Sequence, residues 1–293
     1  MKVRIGIGGV ALPGKELGDL VDALDDLGFD SLWLSEVLTS PVLDPMIGLA
    51  WVAAHNPRVK LGTTMLLPGR NPVRLAKQLA SLDSLSDGRL LVTFVPGLAR
   101  PPERNAIGVP PAQRSAIIDE VVPLLRRLWA GEVVTHHGAA GSFEDVRVSP
   151  LPVQEPLEVW LGGMAPGALE RCGRLSDGWL PSLCTPASAA EGRVVIDAAA
   201  ARAGRVISPE HFGVSIGYAR APLDQAAEMA IAARSRGLSP ADVVPVGMDA
   251  LRDLLEGFVA VGFSKFVLRP MAPPASWTTE LEELAGAVGD LQT

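Results

Sequence analysis

Leu157-Glu-Val-Trp-Leu-Gly-Gly-Met-Ala-Pro-Gly-Ala-Leu-Glu170 contains a strand, a turn and the start of a helix in one short stretch. Leu157, Val159 and Leu161 alternate as one face of a strand. Gly162-Gly163 lets the backbone turn with no side chain in the way. Pro166 then opens a helix, as proline does at a first helical position. The residue before it, Ala165, has no oxygen to satisfy the free N–H groups of the first turn. A strand end, two glycines and an uncapped helix start make a place where a phosphate or other anion can dock. A plain tight turn with its N–H groups in water has the same pattern, and this stretch alone leaves both readings open.

Outward from it, strand-like and helix-like segments alternate along the whole chain. Val3–Gly8 precedes a helix over Lys15–Leu27; Asp30–Ser35 precedes a helix capped at Asp44-Pro45 and running to His55. Val59–Leu66 precedes a helix capped at Asn71-Pro72 and running to Leu82, and Arg89–Val95 is a fourth strand. A Pro-rich excursion, Pro96 to Pro111, separates it from a helix over Ala112–Trp129. A hairpin excursion, Val133 to Val148, leads back to the opening stretch. Gly178–Pro181, His211–Ala219 and Lys265–Arg269 are the remaining strands. Their helices are Ala187–Ala203, Asp224–Arg236 with Asp249–Val261, and Thr278–Leu291.

Eight strands, each followed by a helix, imply an α/β fold: a single (β/α)8 TIM barrel over residues 1–293, with insertions after the fourth strand and before the fifth. An open doubly wound sheet would carry its phosphate loop after the first strand. Gly6, Gly8, Gly9 and Pro13-Gly14 do not have that spacing. In such a barrel, chemistry sits at the C-terminal strand ends. That geometry selects Gly8, Glu36, Thr64, Pro96-Gly97, Gly162-Gly163, Ser182, Tyr218 and Arg269.

The totals narrow the partners. The chain has 293 residues, 48% hydrophobic, with a formal net charge of -7, so no nucleic-acid or acidic-membrane partner is expected. No apolar run approaches a membrane helix, and the start lacks a signal-peptide pattern, so a cytoplasmic location is the expectation. Two cysteines, Cys172 and Cys184, form neither a disulfide framework nor a metal cluster.

Several ordered motifs carry a family resemblance. Gly28-Phe-Asp-Ser-Leu-Trp-Leu-Ser-Glu36, Val59-Lys-Leu-Gly-Thr-Thr-Met65 and the segment from Arg70 to Leu90 are the first. Ile107-Gly-Val-Pro110, Phe143-Glu-Asp-Val146, Val159-Trp-Leu-Gly-Gly163 and Ser176-Asp-Gly-Trp-Leu-Pro181 follow in order, and the likeness resumes at Gly262–Pro270. The chain resembles the bacterial luciferase-like monooxygenase family, and within it the branch of oxidoreductases that uses the deazaflavin coenzyme F420 in place of FMN.

The resemblance implies an enzyme that moves hydride between F420, with FMN as the alternative, and a small-molecule organic substrate. It implies that Gly162, Gly163 and Met164 hold the coenzyme phosphate, and that Gly8, Glu36, Thr64, Met65, Pro96 and Gly97 stand around the ring. A non-proline cis peptide backs the ring in that branch and maps to Thr64–Met65. Glu36 is the candidate catalytic group, since the family often has an acid at the ring's polar edge; a salt bridge is the other reading of that carboxylate. Arg269 and Ser182 are candidate substrate-binding residues, with a surface ion pair as the other reading of Arg269, and a homodimer is an allowed assembly. The chain also departs from the pattern. F420-dependent sugar and alcohol dehydrogenases place a proton-accepting His after the acid and an assisting Glu after the fourth-strand glycine. Val37 and Leu98 stand there, and neither can move a proton. A flavin binder without catalysis is therefore a second reading. A phosphate-ester isomerase or aldolase on the same barrel is a third reading; it wants a base and a Schiff-base lysine or a metal at the strand ends, whereas the strand lysines Lys2, Lys60 and Lys265 sit at strand starts.

The remaining residues have plainer expectations. His136-His137 reads as an exposed loop pair, Cys184 as an inert buried thiol, and Arg70 as structural. Trp33, Trp51, Trp160 and Trp179 lie in apolar periodic segments and read as core.

Overall fold

The computed structural model of the chain describes residues 1–97 and 101–293. From the N-terminus, β1 (Arg4–Gly8) leads to α1 (Gly14–Asp26) and β2 (Ser31–Ser35) to α2 (Pro45–His55). Then β3 (Lys60–Leu66) leads to α3 (Pro72–Leu85), and β4 (Leu90–Val95) to α4 (Pro101–Ala106) and α5 (Pro111–Trp129). A hairpin of β5 (Val134–Gly138) and β6 (Gly141–Val146) precedes β7 (Val159–Leu161) and α6 (Pro166–Leu175). The chain continues through β8 (Gly178–Trp179), α7 (Pro186–Arg202) and β9 (Gly213–Tyr218), then α8 (Gln225–Ala232), α9 (Pro240–Val243) and α10 (Met248–Ala260). It ends with β10 (Lys265–Pro270) and α11 (Trp277–Val288).

Eight strands form one sheet in the order β8-β7-β4-β3-β2-β1-β10-β9. Neighbours run parallel: Ile7 of β1 is the register partner of Leu32 in β2 and of Leu268 in β10. The two end strands meet through parallel bridges, Trp179 with Phe212 and Ser182 with Ser215. This cyclic order is that of a (β/α)8 barrel. The expected hairpin is present and antiparallel, with Val134 opposite Val146.

The predicted caps are made. Asp44 accepts from Met46 N at 2.9 Å and Ile47 N at 3.2 Å, and Asn71 accepts from Arg74 N at 3.0 Å. Three expectations need correction or limits. The Pro96–Pro111 excursion contains a short helix, α4, and Leu98 lies outside the described residues. Trp51 is not core: it is 39% exposed and stacks on His55 one turn later, with ring centroids 4.9 Å apart. Helix α2 is apolar on every face, so its periodicity does not mark the outward side. Third, Thr64–Met65 is trans; among the described residues the cis bonds are Ser149–Pro150 and Glu155–Pro156. Strand β3 passes through Thr64 and Met65 in unbroken register with Thr93 and Phe94, and Met65 is fully buried.

The chain divides into two compact units, Met1–Trp33 with Leu161–Thr293, and Leu34–Trp160. In the first, Phe263 is the centre of an aromatic cluster, 5.8 Å from Trp179, 6.1 Å from Phe212 and 5.6 Å from Phe258 between ring centroids. In the second, α3 supplies a fully buried carboxylate, Asp83, which accepts from Val153 N at 2.7 Å, Gln154 N at 2.9 Å and Gln154 Nε2 at 2.6 Å. Those bonds pin the segment that leads into β7, and they satisfy a charge that would otherwise be costly in the core.

Candidate functional site

In the first unit the turn after β7 has the geometry that its sequence suggests. Gly163 has φ +106°, a conformation that a side chain would strain. Its carbonyl accepts from Trp179 Nε1 at 3.0 Å, which fixes the turn. Ala165 has an extended cap conformation and makes no side-chain cap bond to α6. Its carbonyl accepts from Ala168 N at 2.8 Å and Leu169 N at 3.0 Å, closing the first turn of α6. Among the described residues the N–H groups of Met164, Ala165 and Gly167 have no protein acceptor. A row of free donors at a helix N-terminus is an anion cradle.

The same unit gathers Gly8, Ser182 and Arg269, which are far apart in sequence. Arg269 Nε donates to Ser215 Oγ at 2.8 Å, and Ser215 is bridged to Ser182. A Cβ at Gly8 would lie 3.1 Å from Arg269 Cγ, so glycine there makes room for the arginine. The surface ion pair that the sequence allowed for Arg269 is absent among the described residues.

In the second unit Glu36 is committed to partners. Its N–H donates to Thr64 O at 2.8 Å, its Oε2 accepts from Leu66 N at 2.9 Å, and its Oε1 accepts from Arg70 Nη2 at 2.5 Å. Arg70 Nε also donates to Leu66 O at 2.9 Å. With the Glu36 side chain only 8% exposed, this is a largely buried ion pair that locks the end of β3. Thr64 is half-buried beside it. Gly97 packs tightly, since a Cβ there would lie 2.5 Å from Ile107 Cδ1, and the Pro96 carbonyl accepts from Arg114 Nη1 at 3.3 Å.

Comparison with known proteins places this arrangement. Residues 4–268 match the family described as luciferase-like monooxygenase. The chain belongs to the luciferase-like monooxygenase family. An F420-dependent glucose-6-phosphate dehydrogenase of Kineococcus radiotolerans is 31% identical over 179 residues, 57% of this chain and 52% of that protein. The chain spans about half the length of the curated relatives it matches first. A monooxygenase from Streptomyces bottropensis shares the fold, with a TM-score of 0.77 and 24% identity over 98% of both chains. An F420-dependent secondary alcohol dehydrogenase, solved with an F420–acetone adduct, has a TM-score of 0.82 and 18% identity over 100% of both chains.

Several groups of this luciferase-like chain bear on its chemistry. Val37 follows Glu36, as the sequence reads, and both carboxylate oxygens of Glu36 already have partners in Leu66 N and Arg70 Nη2. A buried carboxylate that sequence reading missed, Glu103 of α4, lies beside this segment. It is 1% exposed and accepts from Leu38 N at 2.9 Å and Thr39 Oγ1 at 3.0 Å. A second missed group is in the first unit. Tyr218 donates to Glu280 Oε1 at 2.5 Å, and Arg220 Nε lies 3.0 Å from both Glu280 oxygens. Desolvation and this bond to Glu280 push the Tyr218 pKa up, so it stays a proton donor. These three residues, with Pro270, Met271 and Pro273, line a cavity of about 950 Å³. Only Tyr218 was selected by its strand end; Glu280 lies on α11, where no sequence signal marks it.

Outside these groups, His136 is not a loop residue in water. Its Nε2 is 2.8 Å from Glu120 Oε1, while His137 is exposed. Cys172 and Cys184 are buried, and desolvation pushes both thiols up to about 12. Phe94 packs in the core. Among the described residues there is no helix long and apolar enough to cross a membrane, and no His/Cys/Asp/Glu group able to hold a metal ion.

Proposed function

We propose that the chain is an oxidoreductase that binds a flavin-type coenzyme, F420 in preference to FMN, and moves hydride between it and a small organic substrate. The cradle at the start of α6 carries this reading. The positive φ of Gly163 and the free N–H groups of Met164, Ala165 and Gly167 fit a phosphate approached by backbone alone. A Cβ at Gly163 would meet only Ala168 Cβ, at 3.1 Å, so no side chain fills the space. Curated relatives named as F420-dependent support F420 before FMN. The bound coenzyme would supply the two-electron chemistry. The chain's part is to hold the phosphate, and the Trp179 bond to the Gly163 carbonyl holds that turn in place.

One observation favours a second reading, a coenzyme binder without dehydrogenase activity. Val37 cannot relay a proton, and Glu36 is consumed by Arg70 and Leu66. Titration of the purified protein with F420 and with FMN, followed by absorbance, tests both. A saturable shift stronger with F420 supports the first choice; a shift with FMN alone transfers the reading to FMN; no shift with either overturns coenzyme binding. Glucose 6-phosphate and secondary alcohols are expected to give no useful F420 reduction, and steady reduction would require a base other than Glu36 in its present pairing.

A further inference from the structure

Among the described residues Arg269 is a cation without a counter-ion. Its Nε bond to Ser215 orients the guanidinium, and among the described residues Nη1 and Nη2 make no hydrogen bond or ion pair. Desolvation first, and the charge of Arg234 second, push its pKa below the usual arginine value. Other arginines in the same unit are matched to carboxylates: Arg205 to Asp177 at 3.0 Å and Arg220 to Glu280 at 2.9 Å. A half-buried cation with no carboxylate partner is unfavourable unless something anionic completes the site. Glycines on the neighbouring strands accommodate this end of β10: Gly8 on β1 makes room for the Arg269 stem, and Gly217, its register partner on β9, makes room for Met271. The Ser182 segment adjoins Ser215, adding a second hydroxyl residue to the wall.

We propose that Arg269, oriented by Ser215, binds an oxyanion carried by the substrate, a carboxylate or a phosphate, through its two free Nη groups. The fork geometry of arginine matches such a group bidentately. This rests on the oxidoreductase reading only in assigning the anion to a substrate and not to the coenzyme.

Inorganic phosphate is the probe, titrated at constant ionic strength and read as a rise in thermal midpoint. The measurement is made in an Ala165→Asp background, where a carboxylate already occupies the start of α6. A saturable rise is expected, weakened at least about tenfold by Arg269→Gln and less by Arg269→Lys. Arg269→Gln should fold, because it removes an unmatched charge; Ser215→Ala, which frees the guanidinium, serves as a second variant. No rise, or an equal rise in Arg269→Gln, overturns the proposal. A parallel arm measures coenzyme affinity in otherwise unaltered protein. An unchanged affinity in Arg269→Gln assigns the anion to the substrate, whereas a tenfold loss assigns it to the coenzyme and overturns that part. If neither coenzyme binds at all, the oxidoreductase reading fails while Arg269-dependent phosphate binding still stands.

Discussion

Ala165→Asp separates stability from binding, because the two should move in opposite directions. Ala165 already has the extended backbone of a helix cap, with φ -70° and ψ 146°, but lacks an acceptor. An Asp carboxylate there would accept from Gly167 N, as Asp44 does for Met46 N in α2. Capping is worth about 1 kcal/mol, and the anion gains a few tenths more from the helix dipole. The thermal midpoint should therefore rise by about 2 °C. The coenzyme phosphate would meet a negative charge and lose two or three charge-assisted hydrogen bonds. At roughly 1.5 kcal/mol each, that costs on the order of 3–4 kcal/mol, more than a hundredfold in affinity. Ala165→Asn caps without the charge and should be intermediate in binding. Isothermal titration with F420 and a thermal melt on the same samples read both effects. A stabilised Ala165→Asp protein that binds F420 within about twofold of the parent would refute the phosphate assignment.

Arg70→Gln leaves the Glu36 carboxylate unmatched and should destabilise the protein by about 2 kcal/mol, less than for a fully buried pair because Arg70 is partly exposed; denaturant unfolding measures it, and a change below about 0.5 kcal/mol would mean the pair is dispensable. Glu120 responds to pH. Burial works to raise its pKa, but bonds from Ala140 N, His136 and Ala139 N outweigh it and hold the folded value below the usual 4.5. Its contribution is therefore present above the unfolded value and lost as pH falls through the folded one. Hydrogen exchange in β5 and β6 should accelerate over that window in the parent and not in Glu120→Gln; equal profiles would contradict the assignment. Cys172 and Cys184, with thiols pushed up to about 12, should resist a thiol reagent at pH 8 until the chain unfolds. Rapid labelling of the native protein would show a more open structure around them.

The order of strands and helices was legible in the sequence because its signals are local. Asp44-Pro45 and Asn71-Pro72 satisfy N–H groups two or three residues away, so the start of α2 and of α3 can be read without knowing the fold. Gly162-Gly163 and the uncapped Ala165 are likewise local, and the turn has the form they imply. The ordered motifs also carried the family, which the match over residues 4–268 bears out. Partnership and burial were not legible, since they depend on which strand ends become neighbours. Glu36 could be a free acid or half of an ion pair until Arg70, 34 residues away, was seen against it. Arg269 could be a surface ion pair or an anion site until β9 and β10 brought it beside Ser215 and Gly217, where among the described residues it pairs with no carboxylate. Trp51 looked like core because α2 is apolar all round, and only packing selects its outward face. Helix periodicity and capping are set within one turn of chain, whereas the counter-ion of a charge and the exposure of a ring are set by tertiary contact.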